Sequence, residues 1–273
     1  ICGEDASNGQ VYLYVSNTVG DLQNGLLYAL RRTNQNQIET NMTKGNSYDV
    51  EFVEVPNAKN LTGVDIENLN TTLKSVQFAR VEDLDYRKGG GANGREIYFV
   101  ATGVSGNPDK TYWGRMYRLK LNATNPLLGT LEVVEDGNLN PGNDIINPDN
   151  VCVTNNYVYI QEDGDSFFPG ASHDSYIWQY NIATGVKKPF LNIRNKALGG
   201  TVYNPLNDQR YATWENGAMI DISSTIGVEN TFLINIHSHT WVEGDRFLNP
   251  SKATSIQPYK SGGQTLILKG VPR

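Results

Sequence analysis

The sequence predicts an all-β protein, a β-propeller made of antiparallel blades. Three observations carry this. Roughly a dozen short runs rich in Val, Ile, Leu, Tyr and Phe recur along the chain, about 8–12 residues apart. Clusters of Gly, Asn, Asp and Pro separate them, and the 273 residues include 27 glycines and 11 prolines. Units of the form Tyr-x-Tyr, turn, apolar run also recur, without a strict period. Such spacing favours a sandwich, barrel or propeller over an α/β fold. At about four strands per blade, a dozen strands make about three blades, short of the four or more in a closed ring. Residues 1–273 are therefore expected to form a single propeller-type domain, the C-terminal part of a larger polypeptide whose N-terminal portion completes an incomplete ring.

The elements follow in order. Tyr12 and Tyr14 alternate with Val11, Leu13 and Val15, which predicts a strand over 11–16. Asn24-Gly25 marks a turn before a strand at 26–32, and alternation resumes at 48–55. Ile66, Leu69 and Leu73 fall on one helical face behind a capping Asp65, which predicts a short helix over 65–74. Arg80, Glu82 and Asp83 then lead to a Gly-rich turn, Gly89-Gly90-Gly91 and Gly94, and a strand at 96–102. Further strands are expected at 114–121, 131–135, 176–180, 185–193, 200–203, 210–214, 219–222, 232–236 and 265–268. Between the second and third of these strands stands the hairpin INPDNVCVTNNYVYIQEDGDS, with Asn155-Asn156 expected to turn it at positive φ.

That hairpin carries oxygen donors at both ends. Asp149 and Asn150 precede its first strand, and Glu162 and Asp163 follow its second. Antiparallel pairing sets those ends side by side, and clustered carboxylates repel unless a cation neutralises them. A hard, oxygen-preferring ion such as calcium suits the set. The plainer reading is a solvated turn, since Asp and Asn favour turns anyway. The Asp163-Gly164-Asp165 run lacks the spacing and final Glu of an EF-hand.

Net charge is −6 and the isoelectric point about 5.1, which argues against a nucleic-acid partner. No apolar run is long enough for a membrane span. Cys2 and Cys152 leave a disulfide open, and Cys152 reads as a buried strand residue. Four N-x-[ST] sequons, at Asn41, Asn60, Asn70 and Asn122, match chance expectation in so Asn- and Thr-rich a chain. His237 and His239 have the spacing of a two-histidine metal site on a strand, but polar groups at a sheet edge explain them as well. His173-Asp174 reads as an acid/base pair or a turn, and Glu215 as an inward carboxylate or a capped turn. Tyr112, Trp113, Trp178, Trp214 and Trp241 read as packing between blades or as a sugar platform. No nucleophile elbow, P-loop or dinucleotide fingerprint is present.

Taken together and in order, GEDASNGQVYLYVS, FARVEDLDY, NPDNVCVTNNYVYIQEDG, WENGAMIDIS and INIHSHT followed by GGQTLILKGVP cover most of the chain. The chain resembles, in these stretches, the C-terminal half of the PhoX-like alkaline phosphatases, calcium- and iron-dependent β-propeller phosphoesterases. The resemblance implies a phosphate site at the propeller mouth, where acidic residues hold metal and an arginine contacts phosphate. Carried over, Arg80 grips a phosphoryl oxygen and Glu82 binds metal at the catalytic centre, with Asp83 beside it. Asp149, Asn150, Glu162 and Asp163 become calcium or iron ligands, and Glu4 with Asp5 a further metal-binding pair. The family's cysteine iron ligand lies upstream of the matching stretches and Cys2 does not fit its context, so iron is expected only if an N-terminal portion supplies that site. The implied activity is hydrolysis of phosphorylated small molecules by a secreted, periplasmic or cell-surface enzyme. The alternative is a non-catalytic, calcium-stabilised propeller that binds a protein or glycan.

Overall fold

The computed structural model describes residues 1–163, 170–193, 214–238 and 262–273. The chain divides into two compact units, Ile1–Asn138 and Leu139–Arg273. Both are all-β, and every strand pair among the described residues is antiparallel.

In the first unit, β1 (Cys2–Gly3), β2 (Val11–Ser16), β3 (Gly25–Arg32) and β4 (Ser47–Glu54) form one meander, and β5 (Val81–Tyr86), β6 (Glu96–Ala101), β7 (Arg115–Leu121) and β8 (Leu128–Asp136) form another. The expectation was of separate four-stranded blades, about three over the whole chain. Instead β4 pairs with β8, Ser47 opposite Glu132 through Glu51 opposite Leu128, and fuses the meanders into one eight-stranded sheet. The far edges then meet, so the sheet is nearly closed like a barrel. Gly9 and Phe78 exchange both backbone hydrogen bonds at 2.9 Å, Arg80 N–H donates to Ala6 O at 3.0 Å, and Val81 N–H donates to Glu4 O at 3.3 Å. The approach is close enough that a Cβ on Gly3 would lie 2.6 Å from the Val81 side chain, and one on Gly9 would lie 2.4 Å from Glu4 O.

Alternation puts Val11, Leu30, Phe52, Val81, Phe99, Tyr117, Leu119 and Val133 into a common core. Phe78, Phe99 and Tyr117 pack at its centre with ring centroids 4.8–5.2 Å apart. Between β4 and β5 runs α1 (Gly63–Leu73), whose Ile66, Leu69 and Leu73 cover Tyr12, Ala29 and Val55. The cap is Thr62 rather than the expected Asp65: Thr62 accepts from Asp65 N–H, and Asp65 returns the bond from the third helical position.

In the second unit, β9 (Pro148–Val153), β10 (Tyr157–Glu162), β11 (Tyr176–Asn181) and β12 (Lys187–Asn192) make a four-stranded meander. A three-stranded sheet follows, β13 (Glu215–Asp221), β14 (Thr231–Ser238) and β15 (Gly262–Lys269), with the short α2 (Ser223–Ile226) between its first two strands. Cys152, Tyr159, Ile177, Met219, Phe232, Ile234 and Val271 form the core of this unit. The β9–β10 turn does not use positive φ at Asn155 or Asn156. The Thr154 hydroxyl accepts the Asn156 and Tyr157 N–H groups and so holds an ordinary turn. The expected strand at 200–203 and all but Trp214 of the one expected at 210–214 lie outside the described residues, as do Gly164, Asp165, His239 and Trp241.

Three hairpins share a local device that the sequence did not announce. Register moves from Val81 opposite Ala101 to Leu84 opposite Phe99, from Pro148 opposite Glu162 to Asn150 opposite Gln161, and from Asn216 opposite Ile236 to Met219 opposite Ile234. Each first strand thus holds one extra residue near its start, a bulge that turns neighbouring side chains. Arg80 and Asn147, just ahead of β5 and β9, both take positive φ, 64° and 43°. Their carbonyls accept Thr102 N–H and Asp163 N–H, each from the residue after the returning strand.

Candidate functional site

The edge-to-edge junction of β1 and β5 gathers four of the residues singled out from sequence. Arg80 donates to Asp5 through Nε at 2.8 Å and through Nη2 at 3.3 Å, a fork around one carboxylate. Nη2 also donates to Glu82 Oε1. The Arg80 side chain is about one-third exposed, Asp5 nearly half and Glu82 less than a fifth. Glu4 comes next in the chain and accepts the Tyr12 hydroxyl at 3.2 Å, while Tyr12 accepts from the Asn70 amide at 2.6 Å. Burial pushes the Glu4 carboxyl above its usual range and Glu67 adds to the push, against the Tyr12 hydrogen bond. Asp83 sits in the β5 bulge and accepts Leu84 N–H. The junction thus carries one guanidinium among several carboxylates, with hard oxygen donors throughout.

In the second unit, the hairpin ends do come together as antiparallel pairing requires, with Glu162 opposite Pro148. The side chains then diverge in use. Glu162 is buried, and its oxygens accept Ile146 N–H at 2.8 Å, Tyr176 N–H at 2.7 Å and Trp178 Nε1–H at 2.6 Å. Burial pushes its pKa up to about 7, opposed by His173 and these donors. Asp149 accepts the Asn150 amide at 2.6 Å, and Asp163 donates its N–H to Asn147 O. His173 lies 3.6 Å from Glu162 and stacks flat on Tyr176, with centroids 4.1 Å apart. Its ring nitrogens meet the backbone carbonyls of Asp174 and Asp144, so a ring–backbone contact joins His173 to Asp174. Trp178 packs here, edge-on to His173 and under Lys187, rather than as an open platform. His237 Nδ1 meets Glu215 across β13–β14 at 3.2 Å.

One polar cluster escaped the sequence reading. Glu39, fully buried in the first unit, accepts Thr111 N–H at 2.9 Å and the Tyr117 hydroxyl at 2.7 Å. Arg115 donates to Glu39 O and to the Asp136 carboxylate at 2.7 Å. Lys110 donates to Gln77 O at 2.7 Å and Phe78 O at 3.4 Å, and burial lowers its pKa to about 8. A legible trace did exist: Arg115 shares a face with Tyr117 and Leu119, a charge on the apolar side of a strand. Nothing local in Gln-Ile-Glu-Thr marks Glu39. These groups fasten the 36–41 segment over one end of the sheet, together with Arg32, which donates to Asn36 O and Ile38 O.

Among the described residues, no three His, Cys, Asp or Glu side chains are grouped to hold one metal ion. Cys2 is exposed and Cys152 is buried, and no disulfide joins them. No helix among the described residues is long and apolar enough to cross a membrane. Compared with protein-family models, with curated proteins and with solved structures, the chain matches none.

Proposed function

We propose that the chain is a metal-dependent phosphoesterase of the PhoX-like kind, hydrolysing phosphate monoesters outside the cytoplasm, with its site at Arg80. The observation that carries this reading is the Arg80 fork, which meets a two-oxygen carboxylate side-on at a solvent-reached position. A phosphoryl group presents the same pair of acceptors. Glu82, on the bulged strand, holds Nη2 and sets the plane of the guanidinium. The nearby donors, Glu4, Asp5 and Glu82, are all hard oxygens and so of the kind calcium takes. With two of them turned to Arg80, the ion would draw remaining ligands from elsewhere. Calcium, or iron where a further cysteine ligand is supplied, would contribute Lewis acidity toward the phosphoryl oxygens. Arg80 then orients the phosphate and balances charge that grows on its oxygens.

The propeller form of the fold belongs to the same proposal. The shared bulge in β5–β6, β9–β10 and β13–β14 supports it, as a repeated start to the first strand of each blade. The test is hydrolysis of p-nitrophenyl phosphate with calcium and iron supplied. Arg80→Ala should remove turnover and leave the melting temperature within a few degrees. An inactive wild type, or a fully active variant, counts against the enzyme.

The second reading, a non-catalytic calcium-stabilised binding module, draws on Glu162. Its oxygens already serve three N–H donors and so act as internal scaffolding. On that reading a chelator lowers thermal stability and no turnover appears.

A further inference from the structure

We infer that Asp5 is a built-in competitor for anions at Arg80, a carboxylate that occupies the guanidinium fork until a phosphate displaces it. The inference rests on the reading of Arg80 as the phosphate contact and adds how that contact is regulated.

The geometry has three parts. First, the two Asp5 oxygens take Nε and Nη2 of Arg80, the side-on pairing that two phosphoryl oxygens would use. Second, the backbone bearing Asp5 is fixed. Ala6 O accepts Arg80 N–H, Glu4 O accepts Val81 N–H, and Glu4 N–H donates to Gln10 O. Gly9 lies so close that even a methyl group would strike Glu4 O. Release therefore cannot be a loop opening; it is a rotation of the Asp5 side chain, a motion on the picosecond-to-nanosecond scale. Third, both partners are well exposed, Arg80 by 34% and Asp5 by 47% of the side chain. Ion pairs so exposed are weak, so a doubly charged anion can displace this one.

Arg80 is also held by Glu82, which shares Nη2 with Asp5, and by its own backbone, whose carbonyl accepts Thr102 N–H at 3.0 Å. Removing the Asp5 charge should leave the guanidinium where it is and free the face that phosphate needs. An exposed pair of this type corresponds to a gain of about fivefold in anion affinity when the competitor is removed.

The experiment is a titration of the whole chain with inorganic phosphate, followed by calorimetry or phosphorus NMR, in wild type, Asp5→Asn, Arg80→Gln and the double variant. Unfolding midpoints verify that each is folded. Asp5→Asn should bind phosphate about fivefold more tightly than wild type. Arg80→Gln should weaken binding, and the double variant should lose the gain. If Asp5→Asn binds no more tightly while Arg80→Gln still weakens binding, the competitor is overturned and Arg80 keeps its role. If Arg80→Gln leaves phosphate binding unchanged in both backgrounds, or no variant binds phosphate, both are overturned.

Discussion

Lys110 shows how a buried charge records its surroundings. The side chain is 6% exposed and reaches two backbone carbonyls, with Glu39 and Asp109 as the nearby acids. Burial outweighs those acids and brings the ammonium down to about 8 from 10.5. Between those values the unfolded chain holds the proton more tightly than the folded one. Stability should therefore rise with pH over that window, by up to about 3 kcal/mol. Urea midpoints at pH values of about 7.5 and 10 test this, with Lys110→Met expected to flatten the rise. An equal rise in the variant removes Lys110 as its source. Arg80 and Lys110 also mark what single residues reveal from sequence. Arg80 was singled out through the resemblance that the Phe78–Tyr86 stretch carries, where it stands two residues before Glu82. Lys110 and Glu39 were not, since 71 positions of chain separate them and only folding brings their charges close.

Elements were read with uneven success, for physical reasons. Strands with clean alternation, such as β2, or with a long apolar run, such as β6, follow directly from side-chain pattern. β5 did not, because Val-Glu-Asp-Leu-Asp-Tyr is acid-rich and its bulge breaks the two-residue period. Glu82 lies within the same bulged stretch and pairs with Arg80, so the feature that hid the strand lies at the candidate site. For α1, the helix was legible and its cap was displaced. Thr62 and Asp65 satisfy each other's N–H groups, a reciprocal arrangement in which either residue reads as the cap. Thr62→Ala should cost about 1 kcal/mol, read as a lower urea midpoint. An unchanged midpoint would show that packing of Ile66, Leu69 and Leu73 holds the helix without its cap.

At the scale of the molecule, composition and turn spacing sufficed for an all-β chain, but pairing between distant strands was beyond them. The β4–β8 contact joins residues some 80 positions apart, and no local pattern distinguishes an edge strand that stays open from one that finds such a partner. That pairing turns two meanders into one curved sheet, whose last gap is closed by residues 3–9 against 78–81. Residues 1–9 are therefore structural. A form lacking them should show a larger scattering mass than the full chain at equal concentration. A scattering mass matching that of the intact chain would mean that the β5 flank is covered in another way. The reason is an old hazard of open ribbons: a strand deprived of its neighbour offers its amides to the next molecule in solution, and what had been a private clasp becomes an invitation to stack.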